Sequence, residues 1–123
     1  MARILLIEDN ATNLDLMTYL LRAFGHDVAS AADGAEGLEK ALLEPYDLVL
    51  TDILMPRMDG YEFARRFRDE ASGAHTPLVA VTALAMTGDR EKILANGFDG
   101  YIAKPLDPKR FGAQIAAFLK KPE

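Results

Sequence analysis

The sequence predicts an α/β protein built on a parallel sheet that is buried under helices. Strand-like and helix-like patterns alternate along the whole chain, as they do in βα units. The strand-like segments are continuous apolar runs, which is typical of parallel strands covered on both faces. Four of these runs end directly in reactive polar residues. We expect five strands and five helices.

The four polar endings predict one site, because ligands of such sheets bind at the carboxyl ends of the strands. The endings are Glu8 and Asp9 after Ile4–Ile7, Asp52 after Leu48–Thr51, Thr82 after Leu78–Val81, and Lys104 with Pro105 after Gly100–Ala103. Carboxylates attract a hard divalent cation, whereas a hydroxyl and an ammonium suit a phosphoryl group. The combination indicates a site that moves phosphate onto a protein.

The first helix is predicted from apolar residues at three- and four-residue spacing. They are Leu14, Met17, Leu21 and Phe24. The helix should end at Gly25, since glycine readily takes the left-handed conformation that follows a helix. The spacing of Thr12 and Asp15 resembles a capping box and predicts the helix start.

The second strand is the weakest prediction, and its neighbours support it. Asp27–Ala31 contains few bulky apolar residues, but helical patterns flank it on both sides. Asp33 is suited to cap the following helix, which carries Leu38 and Leu42 and closes before Pro45.

The second half of the chain continues the alternation. A loop over residues 53–60 leads into a helix that faces inward through Phe63 and Phe67, and residues 71–77 form the most loop-like stretch. A fourth helix opens at Thr87 and ends at Asn96 and Gly97. Asp107 and Pro108 predict the start of the last helix as its N-cap and first helical residue. The apolar side of that helix carries Phe111, Ile115, Phe118 and Leu119.

Composition limits the class of protein. The 123 residues fit one domain, 1–123, and a net charge of -5 argues against nucleic-acid binding. The absence of cysteine excludes disulfides and suits a reducing cytosol. No apolar run is long enough to span a membrane, and the chain enters a strand directly after Arg3, so we expect a cytoplasmic protein.

His26 and His75 are predicted to be exposed loop residues on the opposite edge of the sheet.

The carboxylates have a chemistry that fits phosphoryl transfer. Asp9 and Asp52 end adjacent strands and would share one cation, for which Mg²⁺ is the best fit because it needs few carboxylates. Asp52 would act as the nucleophile, as carboxylates do when aspartyl-phosphate forms. Lys104 and Thr82 would neutralise and hydrogen-bond the transferred oxygens.

These motifs together resemble the receiver domain of two-component response regulators, over a stretch from Arg3 to about Lys120. They are Ile7-Glu8-Asp9-Asn10, the loop from Asp52 to Gly60 that contains Met55-Pro56, Val81-Thr82-Ala83, and Tyr101-Ile102-Ala103-Lys104-Pro105. The stretch from Val81 through Ala85 and Met86 to Asp89 further resembles stand-alone regulators of the DivK type and receivers of hybrid histidine kinases.

The resemblance implies a flavodoxin-like (βα)5 doubly wound sheet with strand order 2-1-3-4-5. It also implies that Asp52 accepts phosphate from a phosphohistidine on a histidine kinase or histidine phosphotransfer protein. Asp9, Asp52 and the Leu54 backbone carbonyl would bind Mg²⁺, and Glu8 would act through a water molecule.

The remaining site roles also come from the resemblance. Thr82 and Tyr101 match the switch pair, Lys104 matches the phosphate-binding lysine, and the Lys104–Pro105 bond should be cis. Leu54 and Leu84 would stand beside the path of the hydrolytic water. Neither leucine side chain can orient that water, so we expect slow self-dephosphorylation.

The expected protein is a single-domain response regulator with no output domain, which catalyses only its own phosphorylation and slow dephosphorylation. Its output would be a contact with a downstream protein, through a face that includes Tyr101, Ala103 and Lys109. A receiver excised from a hybrid histidine kinase is the nearest alternative. An aspartate-nucleophile phosphatase needs a second Asp where Leu54 stands, and a flavodoxin would not place Glu8 and Asp9 beside its cofactor's phosphate.

Overall fold

A computed structural model describes residues 2–84 and 87–119, without the side chain of Thr87. It contains the five strands and five helices that the sequence predicts. They are β1 (Arg3–Ile7), α1 (Ala11–Ala23), β2 (Asp27–Ala31), α2 (Gly34–Leu43), β3 (Leu48–Thr51), α3 (Gly60–Asp69), β4 (Leu78–Thr82), α4 (Thr87–Ala95), β5 (Gly100–Ala103) and α5 (Pro108–Leu119). Ala85, Met86 and Lys120, which belong to the stretches that resemble receiver domains, lie outside the described residues.

The strands form one parallel sheet in the order β2-β1-β3-β4-β5. This confirms the predicted fold class and strand order. The order in which strands are added reverses at β1, because the chain first passes to β2 on one side of β1 and then to β3 on the other side, where Ile7 pairs with Thr51. The residues that follow this pair therefore lie at the crevice in which such sheets bind ligands.

Each face of the sheet carries its own hydrophobic core, because successive strand residues point to opposite faces. Leu5 and Ile7 of β1 pack on one face with Phe63 and Phe67 of α3. Ile4 and Leu6 of the same strand pack on the other face with side chains of α1 and α5, among them Met17, Leu21, Phe111 and Ile115. This two-sided burial explains why the strands are continuous apolar runs.

Most of the predicted helix boundaries are confirmed. The Asp33 side chain accepts a hydrogen bond from the Glu36 amide at the start of α2, and α5 begins at Pro108. Gly25 and Gly97 follow α1 and α4 with φ angles of 89° and 96°. The predicted loop at 71–77 contains one 3-10 turn, Ala71–Gly73.

The capping box predicted from Thr12 and Asp15 is wrong. Helix α1 starts earlier, and Asn10 caps it by accepting a hydrogen bond from the Asn13 amide at 3.0 Å. The turn after β1 is short, so the chain enters the helix at Ala11, and Thr12 and Asp15 already lie inside it.

The two histidines differ from each other. His75 is exposed, as predicted, but His26 is half-buried, and its Nδ1 accepts a hydrogen bond from the Ala2 amide at 3.2 Å. Burial lowers the pKa of His26, which favours the neutral ring that this hydrogen bond requires.

Among the described residues, no helix is both long and apolar enough to cross a bilayer.

Candidate functional site

Backbone pairing continues past the strand ends and fixes the polar residues that follow them. The Asp52 amide donates to the Ile7 carbonyl at 3.1 Å, which places Asp52 beside Glu8. The Lys104 amide donates to the Thr82 carbonyl at 2.9 Å and joins the ends of β4 and β5. The predicted carboxylates, hydroxyl and ammonium thus lie at one edge of the sheet.

The Asp52 carboxylate is buried, and its two oxygens have different partners. Its Oδ1 accepts hydrogen bonds from the Ile53 amide at 2.7 Å and the Leu54 amide at 3.3 Å. Its Oδ2 accepts one from Lys104 Nζ at 2.8 Å. The backbone therefore holds one oxygen in place, and the other faces the ammonium.

Lys104 joins Asp52 to a second buried carboxylate. Its Nζ lies 2.7 Å from Glu8 Oε1, and Glu8 is only 1% exposed. Burial raises the pKa of Glu8 above its usual value, against the hydrogen bond from Lys104, and the charge on Asp52 raises it further. Burial alone would lower the pKa of Lys104, but its bonds to Asp52 and Glu8 outweigh that effect and raise it. Lys104 is therefore a firmly charged cation between two acids.

Three carboxylates at this edge are spaced to hold one metal ion. Ligand oxygens of Glu8, Asp9 and Asp52 all lie within 4.8 Å of one another. Asp9 is exposed, so water would reach an ion bound there. A set of hard oxygen donors that leaves positions open for water fits Mg²⁺, which keeps several waters in protein sites.

The hydroxyl of the site is buried at the end of β4. Thr82 is fully buried, and its Oγ1 accepts a hydrogen bond from the Leu84 amide at 3.1 Å. Tyr101 of β5 is half-buried and pairs with Ala80, two residues before Thr82. Its ring packs against the core that β3, β4 and α3 share. The predicted switch pair therefore occupies neighbouring strands.

Comparison with known proteins decides the family. The family model of the response regulator receiver domain matches residues 4–116. The chain belongs to this receiver domain family. It is 36% identical over 116 residues to the polar-differentiation response regulator DivK of Brucella ovis, and the match covers 94% of each chain. DivK of Brucella abortus shows the same identity and coverage.

Solved structures agree with this assignment. The receiver domain of the sensor histidine kinase PA1611 from Pseudomonas aeruginosa PAO1 superposes with a TM-score of 0.89 and 35% identity, over 96% of this chain and 97% of that one. That structure has a magnesium ion coordinated in its active site cleft. The Vibrio cholerae chemotaxis protein CheY4 superposes with a TM-score of 0.90 and 28% identity, over 96% of this chain and 98% of that one.

The positions expected to control dephosphorylation in this receiver domain differ in exposure. The Leu54 residue is 58% exposed beside the site, and Ala83 is also exposed. Leu84 is half-buried and packs against the core, so less of its side chain faces the solvent. The Lys104–Pro105 peptide bond is cis.

Sequence reasoning missed how the receiver domain holds its acids. It did not identify the Ile53 and Leu54 amides as donors to Asp52, or the Asn10 amide as a donor to Glu8 at 3.3 Å. It also did not pair Lys104 directly with Glu8. Backbone amides carry no residue-type signal, and the Lys104–Glu8 contact joins positions 96 residues apart.

Proposed function

We propose that this receiver domain is a single-domain response regulator that accepts a phosphoryl group on Asp52. The donor would be a phosphohistidine of a histidine kinase or of a histidine phosphotransfer protein. The observation that carries this proposal is the contact of Asp52 Oδ2 with Lys104 Nζ at 2.8 Å, inside a group of three acids. A match that covers 94% of DivK supports a regulator of one domain, 1–123.

The metal site would consist of Asp9, Asp52 and the Leu54 carbonyl, with Glu8 acting through water. When bound, Mg²⁺ would neutralise the negative charge that otherwise repels an incoming phosphoryl group. Asp9 is exposed and Asp52 is buried, so one acid would bind the ion from the solvent side and the other from the protein interior. Lys104 already balances part of the charge on Glu8 and Asp52.

Phosphoryl transfer would use the oxygen of Asp52 that the backbone leaves available. Oδ1 is occupied by two amides, so Oδ2 attacks phosphorus as the P–N bond to the donor histidine breaks. The bond electrons leave with the imidazole. Lys104 and the Thr82 hydroxyl then bind oxygens of the transferred group, which is the electrostatic support that this chemistry needs.

The signal would leave the domain through contacts with a downstream protein. Phosphorylation shifts a two-state equilibrium, and the shifted state exposes or reshapes a binding surface. We propose the surface that contains Tyr101, Ala103 and Lys109, of which Ala103 and Lys109 are exposed. A net charge of -5 disfavours nucleic acid as the target.

A receiver from a hybrid histidine kinase is a second candidate. It is favoured by the 35% identity to the receiver domain of the sensor kinase PA1611. The chemistry at Asp52 is the same in both cases. The two candidates differ in the phosphate donor, since a kinase receiver takes phosphate from its own polypeptide.

Phosphorylation by a small-molecule donor tests the shared chemistry. Incubation with acetyl phosphate and Mg²⁺ should add one phosphoryl group to the intact mass, about 80 Da by the chemistry of phosphorylation. Asp52→Asn should abolish the addition, because an amide is a poor nucleophile. A phosphoryl group that persists on Asp52→Asn would refute the assignment.

Metal dependence is tested in the same assay. Asp9→Ala removes one proposed direct ligand and should raise the Mg²⁺ concentration needed for half-maximal phosphorylation. Asp15→Ala, an exposed acid inside α1, serves as the matched control and should behave like the wild type. An unchanged Mg²⁺ requirement in Asp9→Ala would remove Asp9 from the metal site.

A further inference from the structure

The Arg68 side chain in α3 has a hydrogen-bond partner for every one of its donors. Its Nε and Nη2 both donate to the Gly97 carbonyl, at 3.0 and 2.8 Å. Its Nη1 donates to the carbonyls of Gly73 and Thr76, at 2.9 and 2.6 Å. Nη2 also donates to Asp99 Oδ2 at 3.0 Å. A guanidinium has five N–H groups, so all of them are used.

The partners of Arg68 tie two connecting segments to α3. Gly73 and Thr76 lie between α3 and β4, and Gly97 and Asp99 lie between α4 and β5. The Asp99 carboxylate also accepts a hydrogen bond from the Leu78 amide at 2.8 Å, which extends the network to the first residue of β4. Arg68 is 20% exposed, so little water competes for these hydrogen bonds. We call this set of contacts the Arg68 clasp.

The clasp holds one end of α4. Gly97 has a left-handed φ of 96°, and its carbonyl receives two of the five hydrogen bonds from Arg68. The only buried residue among 88–95 is Ile93, and Lys92 Nζ lies 4.7 Å from the centre of the Tyr61 ring. Both of these contacts also lie in the C-terminal half of α4. The helix is therefore fixed near Gly97.

The opposite end of α4 follows the segment that contains Thr82. Thr82 Oγ1 accepts the Leu84 amide in the present structure, and the same hydroxyl is the one that the proposed function assigns to the phosphoryl group. If Thr82 turns toward phosphate, the Leu84 amide loses this partner. Leu84 lies three residues before the start of α4, so this change acts on the N-terminal end of the helix.

We propose that Arg68 makes the C-terminal end of α4 a pivot, so that phosphorylation of Asp52 displaces mainly the N-terminal end of this helix. Arg68 is thus a positioning residue for the signal and touches no reacting atom. The nine residues of α4 span roughly 13 Å, so a small rotation about Gly97 moves the far end most. The inference rests on the proposed phosphorylation of Asp52.

Amide chemical shifts test the pivot along α4. We compare the protein with and without beryllofluoride and Mg²⁺, which imitate the phosphoryl group. In the wild type, shift changes at Gly88, Asp89 and Arg90 should exceed those at Asn96 and Gly97 several-fold. In Arg68→Lys the two ends should change by similar amounts, because one ammonium cannot reproduce the planar five-donor contact.

Controls separate a pivot from a general loss of structure. Arg65→Lys changes an exposed arginine of the same helix and should keep the wild-type pattern. Should Arg68→Lys fail to fold, Asp99→Asn, which weakens one charged contact of the clasp, should raise the changes at Gly97 toward those at Asp89. A folded Arg68→Lys with the wild-type pattern would overturn the proposal, as would an unaltered pattern in Asp99→Asn.

Acetyl phosphate distinguishes this proposal from the function on which it rests. A wild type that gains no phosphoryl group by intact mass overturns both. A wild type that is phosphorylated on Asp52, yet shows equal shift changes at the two ends of α4, overturns the pivot and leaves the phosphoacceptor in place.

Discussion

At the residue scale, the site concentrates negative charge around one cation. Glu8 and Asp52 are buried and share Lys104, whereas Asp9 remains exposed. A buried carboxylate without a partner is costly, so Lys104 makes this cluster tolerable before any metal binds. If the cluster accepts a phosphoryl group as proposed, it needs further positive charge. The site is thus stable in the resting state and ready to bind a divalent cation.

The lifetime of the phosphoryl group should depend on Leu54 more than on Leu84. Leu54 is 58% exposed beside Asp52, so Leu54→Asn would present an amide to incoming water at little cost in stability. We expect loss of the phosphoryl group to accelerate on the order of tenfold, which corresponds to about 1.4 kcal/mol of better orientation. The measurement is the decay of phosphorylated protein by intact mass after removal of acetyl phosphate.

Leu84 provides the comparison within the same experiment. Its side chain packs against the core, so Leu84→Glu should destabilise the fold as well as alter the decay. Leu54→Ala, which shortens the side chain without adding a hydrogen-bonding group, should leave the decay close to that of the wild type. Equal decay in Leu54→Asn and the wild type would show that this position does not control hydrolysis.

Residue identities predicted which polar residues lie together, but they did not predict the hydrogen bonds between them. Asp52, Thr82 and Lys104 could be placed together because each stands at the carboxyl end of a recognisable strand. The amides that hold Asp52 Oδ1 could not be predicted, since they depend on how the chain turns after β3. The capping error at Thr12 has a similar cause. A turn shorter than the pattern suggested moved the helix start to Ala11.

At the element scale, Gly60 sets the position of α3 relative to the loop that follows Asp52. A Cβ on Gly60 would lie 2.5 Å from the Asp52 carbonyl oxygen and 2.8 Å from the Ile53 Cα. Both are backbone atoms, which cannot move without displacing Asp52 itself. A glycine at the first position of α3 therefore allows the helix to begin directly against the backbone of Asp52 and Ile53.

Gly60→Ala should impair both stability and phosphorylation. We expect a loss of about 1–3 kcal/mol in the free energy of unfolding, the usual cost of overpacking. We also expect slower phosphorylation by acetyl phosphate, because the Asp52 carboxylate is displaced from Lys104. Denaturant unfolding and intact mass measure the two effects.

Gly88→Ala is the matched control for this substitution. Gly88 lies in α4, and a Cβ there would meet nothing within 4 Å. This substitution should stabilise the protein by up to about 1 kcal/mol through helix propensity, with phosphorylation unchanged. A Gly60→Ala variant as stable and as reactive as the wild type would show that the loop can yield without cost.

At the scale of the whole molecule, helices cover both faces of the sheet because successive side chains along each strand point to opposite faces. Leu5 and Ile7 serve one core, and Ile4 and Leu6 serve the other. Continuous apolar runs predicted this burial, and the strand order came from the resemblance to receiver domains. The Arg68 clasp could not be predicted, since it joins α3 to carbonyls up to 29 residues away.

The switch proposed for Thr82 should connect the site to β5 and beyond. Thr82 is fully buried and bonded to the Leu84 amide, and Tyr101 packs half-buried on the neighbouring strand. If the hydroxyl turns toward the phosphoryl group, it leaves space that the Tyr101 ring can fill. Beryllofluoride and Mg²⁺ should therefore shift the Tyr101 ring resonances in the wild type, although Tyr101 is not part of the acid cluster.

Thr82→Ala should separate phosphorylation from this response. The variant keeps Asp52, Lys104 and the acids, so acetyl phosphate should still add a phosphoryl group, but the Tyr101 resonances should change little. Thr82→Ser retains the hydroxyl and should restore most of the change, which excludes loss of the threonine methyl group as the cause. Tyr101 shifts in Thr82→Ala as large as those of the wild type would mean that the signal reaches β5 without this hydroxyl.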